Sequence, residues 1–219
     1  MSSFPNSPRL LKGGIVLLDP QTGQVKKSIT LQYNPDSLSR TLQVQGVGGE
    51  SGDRIEALRL KGPPVETIKL EAEIDATDQL EFSDQNANAR DYGIHPQLAA
   101  LETIVYPTST QLTMSSTLAG AGTLEIAGPE AALTLFMWSR SRVMPVRITE
   151  FSITEEAFDT SLNPIRAKVS LGMRVLSVND VGFEHRGGHL FMSYLQQKEQ
   201  LVAKSKGGQM SDFGVMAIT

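Results

Sequence analysis

The sequence predicts a mainly β, α+β domain with one internal helix and a C-terminal helix. The strongest observation is that apolar and polar residues alternate without a break over 165–175. Successive side chains of a strand point to opposite faces, so this pattern indicates a long half-buried strand. Residues 65–76 alternate in the same way. The third observation is the helical spacing of apolar residues over 95–106 and 190–203.

Short strands and turns are predicted for the first part of the chain. Residues 1–9 hold two prolines among small polar residues, and we expect a flexible N-terminal segment there. Residues 15–18 and 25–33 are predicted to be strands around a DPQTG turn, and residues 41–47 a third strand. The glycine-rich stretch 46–52 is predicted to be a surface loop, because it lacks the lysine and the hydroxyl residue of a phosphate-binding loop.

The middle of the chain contains the predicted internal helix. Residues 95–106 carry an apolar stripe, and Pro96 suits a first helical turn. The polar residues 78–91 are predicted to be a loop, as are residues 111–128 except for a short strand at 124–127. Residues 132–138 are apolar throughout, which favours a buried strand.

A long hairpin is predicted around the turn-forming segment 159–164, with arms at 143–158 and 165–175. In the first arm Val146 and Ile148 share one phase, whereas Phe151 and Ile153 are one step out of it. A β-bulge near Glu150 explains this shift, and burial of both faces explains it equally well.

The polar faces of the two alternating strands carry opposite charges. Three arrangements are open: the two faces are cross-strand partners, they contact different subunits, or each is solvated separately. The candidate contact residues are Lys69, Glu71, Glu73 and Asp75 on the mostly acidic face and Arg166, Lys168 and Arg174 on the basic face.

The composition changes after residue 178, which suggests a division of the chain. We predict a β domain at 10–180 and an attachment arm at 181–219, formed by the helix at 190–203 and a tail. A segment of this kind becomes ordered when it docks. Its candidate partner contacts are Phe191, Tyr194 and Leu195.

Composition excludes several classes of function. The net charge is −4 without a basic cluster, so we expect no nucleic-acid binding. The absence of cysteine excludes disulfides, cysteine-liganded zinc and cysteine nucleophiles. No apolar run approaches the roughly 18 residues of a membrane span. The N-terminus lacks the apolar core of a signal peptide, so we expect cytoplasmic synthesis and no direct membrane insertion.

No group of residues in the sequence argues for catalysis. His185 and His189 have the spacing of some metal ligands, but a zinc site needs three or four ligands held rigidly. Glu155, Glu156 and Asp159 flank the predicted turn, where solvated acids are the usual case. We therefore expect no enzyme, no metal and no cofactor.

Three segments resemble the tube and baseplate protein of extracellular contractile injection systems, which are phage-tail-like particles. They are YNPDSLSR at 33–40, HPQLAALETIVYP at 95–107 and LFMWSRSRVMPVRITEFSITEEAFDTSLNPIRAKVSLGMRVL at 135–176. The resemblance covers residues 10 to 180. It implies a tube-like β-barrel or sandwich domain and a sixfold ring that adapts the inner tube to the spike hub. The implied partners are copies of the chain itself, inner-tube proteins, the spike or hub protein and other baseplate proteins, and no catalytic residue is implied.

The resemblance leaves other roles in such a particle open. Many members of the family add a C-terminal LysM module, and the segment 181–219 has no room for one, which argues against cell-wall binding. The alternatives are an inner-tube or tube-initiator subunit and a cell-envelope-binding module. Tube subunits usually lack a C-terminal extension, so the predicted C-terminal helix favours the adaptor. Assembly is expected in the cytoplasm, in a particle that is either released or membrane-anchored.

Overall fold

The computed structural model describes residues 11–46, 59–120, 131–208 and 210–213. Within them a 7-stranded antiparallel sheet has the order β2-β1-β5-β6-β7-β4-β3. The strands are β1 Gly14–Leu18, β2 Val25–Thr30, β3 Leu38–Gln43, β4 Val65–Asp75, β5 Leu133–Ser139, β6 Arg142–Phe158 and β7 Pro164–Val175. The mainly β, α+β fold class is therefore confirmed. The predictions for residues 1–9 and for most of 46–52, and the short strand at 124–127, lie outside the described residues.

The helices are more numerous than the sequence indicated. They are α1 Thr77–Glu81, α2 Ala87–Tyr92, α3 His95–Glu102, α4 Ser109–Gly120, α5 Val178–Val181 and α6 Arg186–Val202, with short 3-10 turns at 83–85 and 210–213. The internal helix predicted at 95–106 exists as α3 but ends at Glu102. The C-terminal helix predicted at 190–203 exists as α6 but begins earlier, at Arg186.

The loops predicted at 78–91 and 111–128 are wrong where the structure describes them. Residues 77–92 are mostly helical, although only Ala89 is buried in α1 and α2. The Asn86 amide holds this segment by donating to the carbonyl oxygens of Gln79 and Phe82 at 3.2 and 3.0 Å. Helix α4 contains no buried residue at all. Neither segment carries the apolar stripe that indicates a helix in a sequence.

The predicted hairpin and its bulge are confirmed. Ile148 of β6 lies opposite Met173 of β7, but the next pair is Glu150 with Gly172, so Thr149 is an extra residue. This bulge returns Phe151 and Ile153 to the face that packs on the core. The first explanation of the phase shift is therefore the one observed.

The main core lies on one face of the sheet, which curls until the end strand β2 approaches β4, the strand next to the other end. Residues of β2 and β4, together with Leu101 of α3, line a common cavity of about 160 Å³. The side-chain amide of Gln32 closes the gap, because it donates to the carbonyl oxygen of Asp75 at 2.6 Å and accepts from its backbone N–H at 3.0 Å. These two bonds imitate a step of a β-ladder and make the sheet barrel-like.

The apolar face of β7 gives a direct test of this architecture. Val169 and Leu171 are 0% and 1% exposed, whereas Ser170 lies between them on the opposite face of the strand. We expect Val169→Asp or Leu171→Asp to abolish folding, because an unpaired buried carboxylate costs several kcal/mol. Ser170→Asp should fold, with a small loss of stability from its cross-strand neighbour Glu71. Circular dichroism and urea denaturation measure all three, and equal behaviour would refute the assignment of the faces.

Candidate interaction surfaces

The acidic face of β4 and the basic face of β7 lie side by side. Glu73 is paired with Lys168 in the register of the two strands, and Asp75 with Arg166. Arg166 Nε donates to Asp75 Oδ2 at 2.8 Å and lies 3.6 Å from Glu73 Oε1. Of the three arrangements left open by the sequence, the cross-strand one is therefore present within a single chain.

The ion pairs extend from β7 to its other neighbours. Lys168 Nζ lies 3.1 Å from Glu156 Oε1 of β6, and Lys69 of β4 reaches across to Glu150 Oε2 of β6 at 2.8 Å. Arg174 donates to Asp180 Oδ1 of α5 at 2.6 Å. Exposed pairs of this kind add little stability each, but opposite charges on neighbouring strands favour one register over its alternatives.

The pKa of Asp75 reflects this face. Partial burial raises the pKa of its carboxyl group, but hydrogen bonds from Thr77 and Arg166 outweigh that effect and the net pKa is lowered. The carboxylate therefore stays charged at neutral pH. On this face Lys69, Arg166 and Lys168 each lie within ion-pair distance of a carboxylate.

The candidate contacts on the C-terminal helix lie in a different environment. Phe191 and Tyr194 are 7% and 2% exposed, and they belong to the main core of the sheet. Leu195 is partly buried against the same core. The sequence assigned these side chains to a partner, whereas α6 buries its apolar stripe against its own domain. The use of segment 181–219 as an arm stays a prediction, but α6 is not held apart from the fold.

A buried carboxylate joins α6 to the sheet. Glu66 on β4 accepts a hydrogen bond from Tyr194 Oη at 3.0 Å, and its Oε2 lies 3.0 Å from Lys198 Nζ. Arg40 on β3 donates to Glu66 Oε1 through Nε at 2.7 Å and to Tyr194 Oη at 3.0 Å. The Lys198 ammonium also lies 4.0 Å from the centre of the Tyr194 ring. We call these four residues the Glu66 cluster.

The Glu66 cluster was missed by the sequence reasoning, although a signal for it exists. Glu66 falls in the phase of Ile68 and Leu70, the apolar residues of the strand, so a carboxylate sits where the pattern requires a core residue. Burial raises the pKa of Glu66, but hydrogen bonds from Lys198 and Arg40, together with their charges, outweigh it and lower the net pKa. The cluster therefore holds a charged carboxylate beneath α6 and has a structural role.

The candidate metal ligands and acids serve local structure. His185 is the N-cap of α6, and its Nδ1 accepts a hydrogen bond from Gly187 N–H at 3.0 Å. Asp159 organises the hairpin loop by accepting from Ser161 N–H and Asn163 N–H at 2.7 and 2.8 Å. Among the described residues, no three histidine or acidic side chains are grouped closely enough to hold a metal ion.

Within the described residues, none of the helices combines the length and the hydropathy that a membrane span requires.

No protein-family profile matches the sequence, and no curated protein matches it. Among solved structures, the chain is similar to one in the tail of an empty GTA particle, computed with helical refinement in C6 symmetry. The match covers 75% of this chain and 90% of that chain, with 12% identity and a TM-score of 0.28. A similarity this weak supports no inference about fold or function.

The Glu66 cluster predicts how α6 is held. We expect Glu66→Gln to lower the free energy of unfolding by about 2 kcal/mol, because Arg40 and Lys198 lose the negative charge between them and one of the two acceptor oxygens becomes an NH2 donor. Glu71→Gln on the solvent face of the same strand is the matched control and should change stability by less than about 0.5 kcal/mol. Urea denaturation compares them, and equal losses would contradict the role of the cluster.

The same carboxylate predicts a pH dependence. Because the pKa of Glu66 is lowered by folding, its stabilisation is present above the unfolded pKa of about 4.3 and is lost as the pH falls through the folded pKa. The stability difference between the wild type and Glu66→Gln should therefore be constant between about pH 8 and 5 and shrink below about pH 4. Other carboxyl groups titrate alike in both proteins. A difference that stays constant down to about pH 3 would count against this assignment.

Proposed function

We propose that this chain is a structural subunit of a phage-tail-like contractile injection system, in which copies form a ring that adapts the inner tube to the spike hub. The observation that carries the proposal is the sequence resemblance of residues 33–40, 95–107 and 135–176. In the fold these segments correspond to the start of β3, to α3 and to the β5–β6–β7 unit. The resemblance therefore falls on the elements that build the sheet and its core, as expected for a structural family.

The two edges of the sheet support assembly into a ring. Strands β2 and β3 end the sheet, and they differ in sequence and surroundings. Unpaired strand edges are templates for pairing with another chain. Contact between two different edges is heterologous, and such contacts close into a ring when the rotation per subunit allows it. The sheet thus has the kind of edges that a cyclic assembly requires.

The proposed role involves no catalysis. Of the titratable groups singled out by the sequence, Asp75, Glu156, Arg166 and Lys168 form ion pairs, Asp159 holds a loop and His185 caps a helix. Catalytic acids and bases instead need a pKa matched to their task and a cleft that admits a substrate. We include the absence of enzymatic activity in the proposal on these grounds.

Localisation of the chain in particles tests this function. We expect particles assembled with a chain that carries a label fused to its N-terminus to show the label as one ring at the junction of tube and spike. A label repeated along the whole tube would favour the inner-tube subunit instead. Electron microscopy with an antibody against the label makes the measurement, and unlabelled particles are the control. Complete, contractile particles from cells that lack the chain would refute a structural role.

A further inference from the structure

Three exposed apolar side chains lie at the end of the β6–β7 hairpin. Phe158 and Leu162 of the hairpin are 50% and 77% exposed, and Tyr92 at the end of α2 is 57% exposed. Two hydrogen bonds join the hairpin to this segment: the Asn163 side-chain amide donates to the carbonyl oxygen of Asp91 in α2 at 3.3 Å, and Ile94 N–H, just after α2, donates to that of Pro164 at 2.9 Å. We call Tyr92, Phe158 and Leu162 the apolar tip.

The hairpin loop holds its part of the apolar tip rigidly. In addition to its backbone contacts, Asp159 accepts a hydrogen bond from the side-chain amide of Asn163 at 2.8 Å. The loop also keeps Leu162 in the left-handed region, with φ of 64°. Such a conformation is unfavourable for leucine and persists where the surrounding bonds impose it. An exposed leucine contributes no buried apolar area within its own chain. Because it is already held rigidly, it loses little conformational entropy when a partner covers it.

The surroundings of the apolar tip are predominantly acidic. Asp91, Glu155, Glu156 and Asp159 belong to α2 and the end of the hairpin. Arg90 pairs with Asp91 and Lys168 pairs with Glu156, so the remaining negative charge is that of Glu155 and Asp159. A surface that covers the tip should therefore be apolar at its centre and basic around it.

The chain presents such a surface at the other end of the sheet. Leu42, Val44 and Leu60 are 47%, 68% and 69% exposed. They lie close together because Leu42 and Val44 lead directly to Gly46, which forms a β-bridge with Leu60. We call these three residues the far patch.

Cations surround the far patch. Lys61 is exposed beside Leu60, and its backbone N–H donates to the carbonyl oxygen of Gln45 at 2.8 Å. Lys198 lies near Leu42, because Leu42 is opposite Glu66 in the register of β3 and β4 and Lys198 binds Glu66. Lys204 and Lys206 follow at the end of α6, where Glu199 is the acidic residue of the last turns. Among the described residues around the far patch the balance is basic, opposite to that of the apolar tip.

The two surfaces lie at opposite ends of the same strands. The apolar tip adjoins the pair Phe158–Pro164, and the far patch adjoins the end of β4 at which Thr67 pairs with Arg174. Pro164 and Arg174 are ten residue steps apart along β7, which corresponds to about 34 Å. We propose that the apolar tip of one copy docks on the far patch of a second copy. The contact joins two different surfaces of the subunit, so it is heterologous and head-to-tail.

Cysteine cross-linking tests the proposed contact in the full chain, which has no cysteine of its own. A Leu162→Cys/Val44→Cys variant should give a ladder of disulfide-linked oligomers on a non-reducing gel after mild oxidation. A mixture of the two single variants should give a heterodimer between them and nothing larger. The control pairs Leu162→Cys with Leu112→Cys, an exposed leucine on α4. Absence of the ladder, or an equal ladder in the control, would overturn the proposal.

A second variant separates loss of docking from loss of folding. Asparagine is favoured in the left-handed region, so Leu162→Asn should fold while removing the apolar contact. We expect it to weaken self-association at least about tenfold in sedimentation equilibrium, as removal of a central apolar anchor does. Added salt should weaken the wild-type association further. A wild type that stays monomeric at its highest soluble concentration, or a variant that associates equally, contradicts the contact. A closed ring held by sheet edges would persist in Leu162→Asn, so this inference fails or holds independently of the proposed function.

Discussion

The apolar face of β7 is the constraint on which the rest of the structure depends. Val169, Leu171 and Met173 are fully buried, and long strands flank β7 on both sides. Side chains alternate with a period of two, so a slip of one residue would turn Lys168 and Arg174 into the core. The bulge at Thr149 preserves this register, because it brings the second half of β6 back into phase with its partner. The ion pairs on the opposite face favour the same register.

The helices complete the burial that the sheet alone leaves open. Helix α3 lines the space between β2 and β4 of the curled sheet, with Leu98 and Leu101 in the core. Helix α6 covers another part of that core and brings the Tyr194 hydroxyl inside with it. A buried hydroxyl needs a hydrogen-bond partner, and Glu66 supplies one while Arg40 and Lys198 balance its charge. Helix α6 can therefore cover the core because the Glu66 cluster provides partners for the polar groups that become buried.

The sequence predicted the elements whose patterns are local. Strict alternation located β4 and β7, and the change of phase within β6 indicated either a bulge or burial of both faces, of which the structure has the bulge. Other features depend on contacts between distant residues. Helices α1 and α2 bury only Ala89 and are held at their end by a bond from Ile94 to Pro164. A hydrogen bond of this kind leaves no periodic pattern in the sequence, and helix propensity alone is a weak guide to short helices.

The same reasoning explains the candidate surfaces. The sequence showed that the polar faces of 65–76 and 165–175 carry opposite charges, but charge patterns alone do not tell which strands become neighbours. The order of the strands in the sheet makes the two faces neighbours, because β4 lies directly beside β7. The partners of Phe191 and Tyr194 depended in turn on where α6 docks, which follows from the buried charge on Glu66. In the sequence, Glu66 stands at a position of β4 where the alternation calls for an apolar residue. A charged residue at such a position needs a polar partner from another part of the chain.

The surfaces of the molecule differ in whether their exposed groups already have partners within the chain. On the outer face of β4, β6 and β7, cations and carboxylates pair within the chain, so a partner that docks there must replace bonds already made. At the apolar tip and the far patch, the exposed side chains are apolar and lose only water when covered. Apolar contact therefore favours association at the ends of the strands, whereas the paired face contributes register within the subunit. The charges around the two ends then determine the orientation in which they meet.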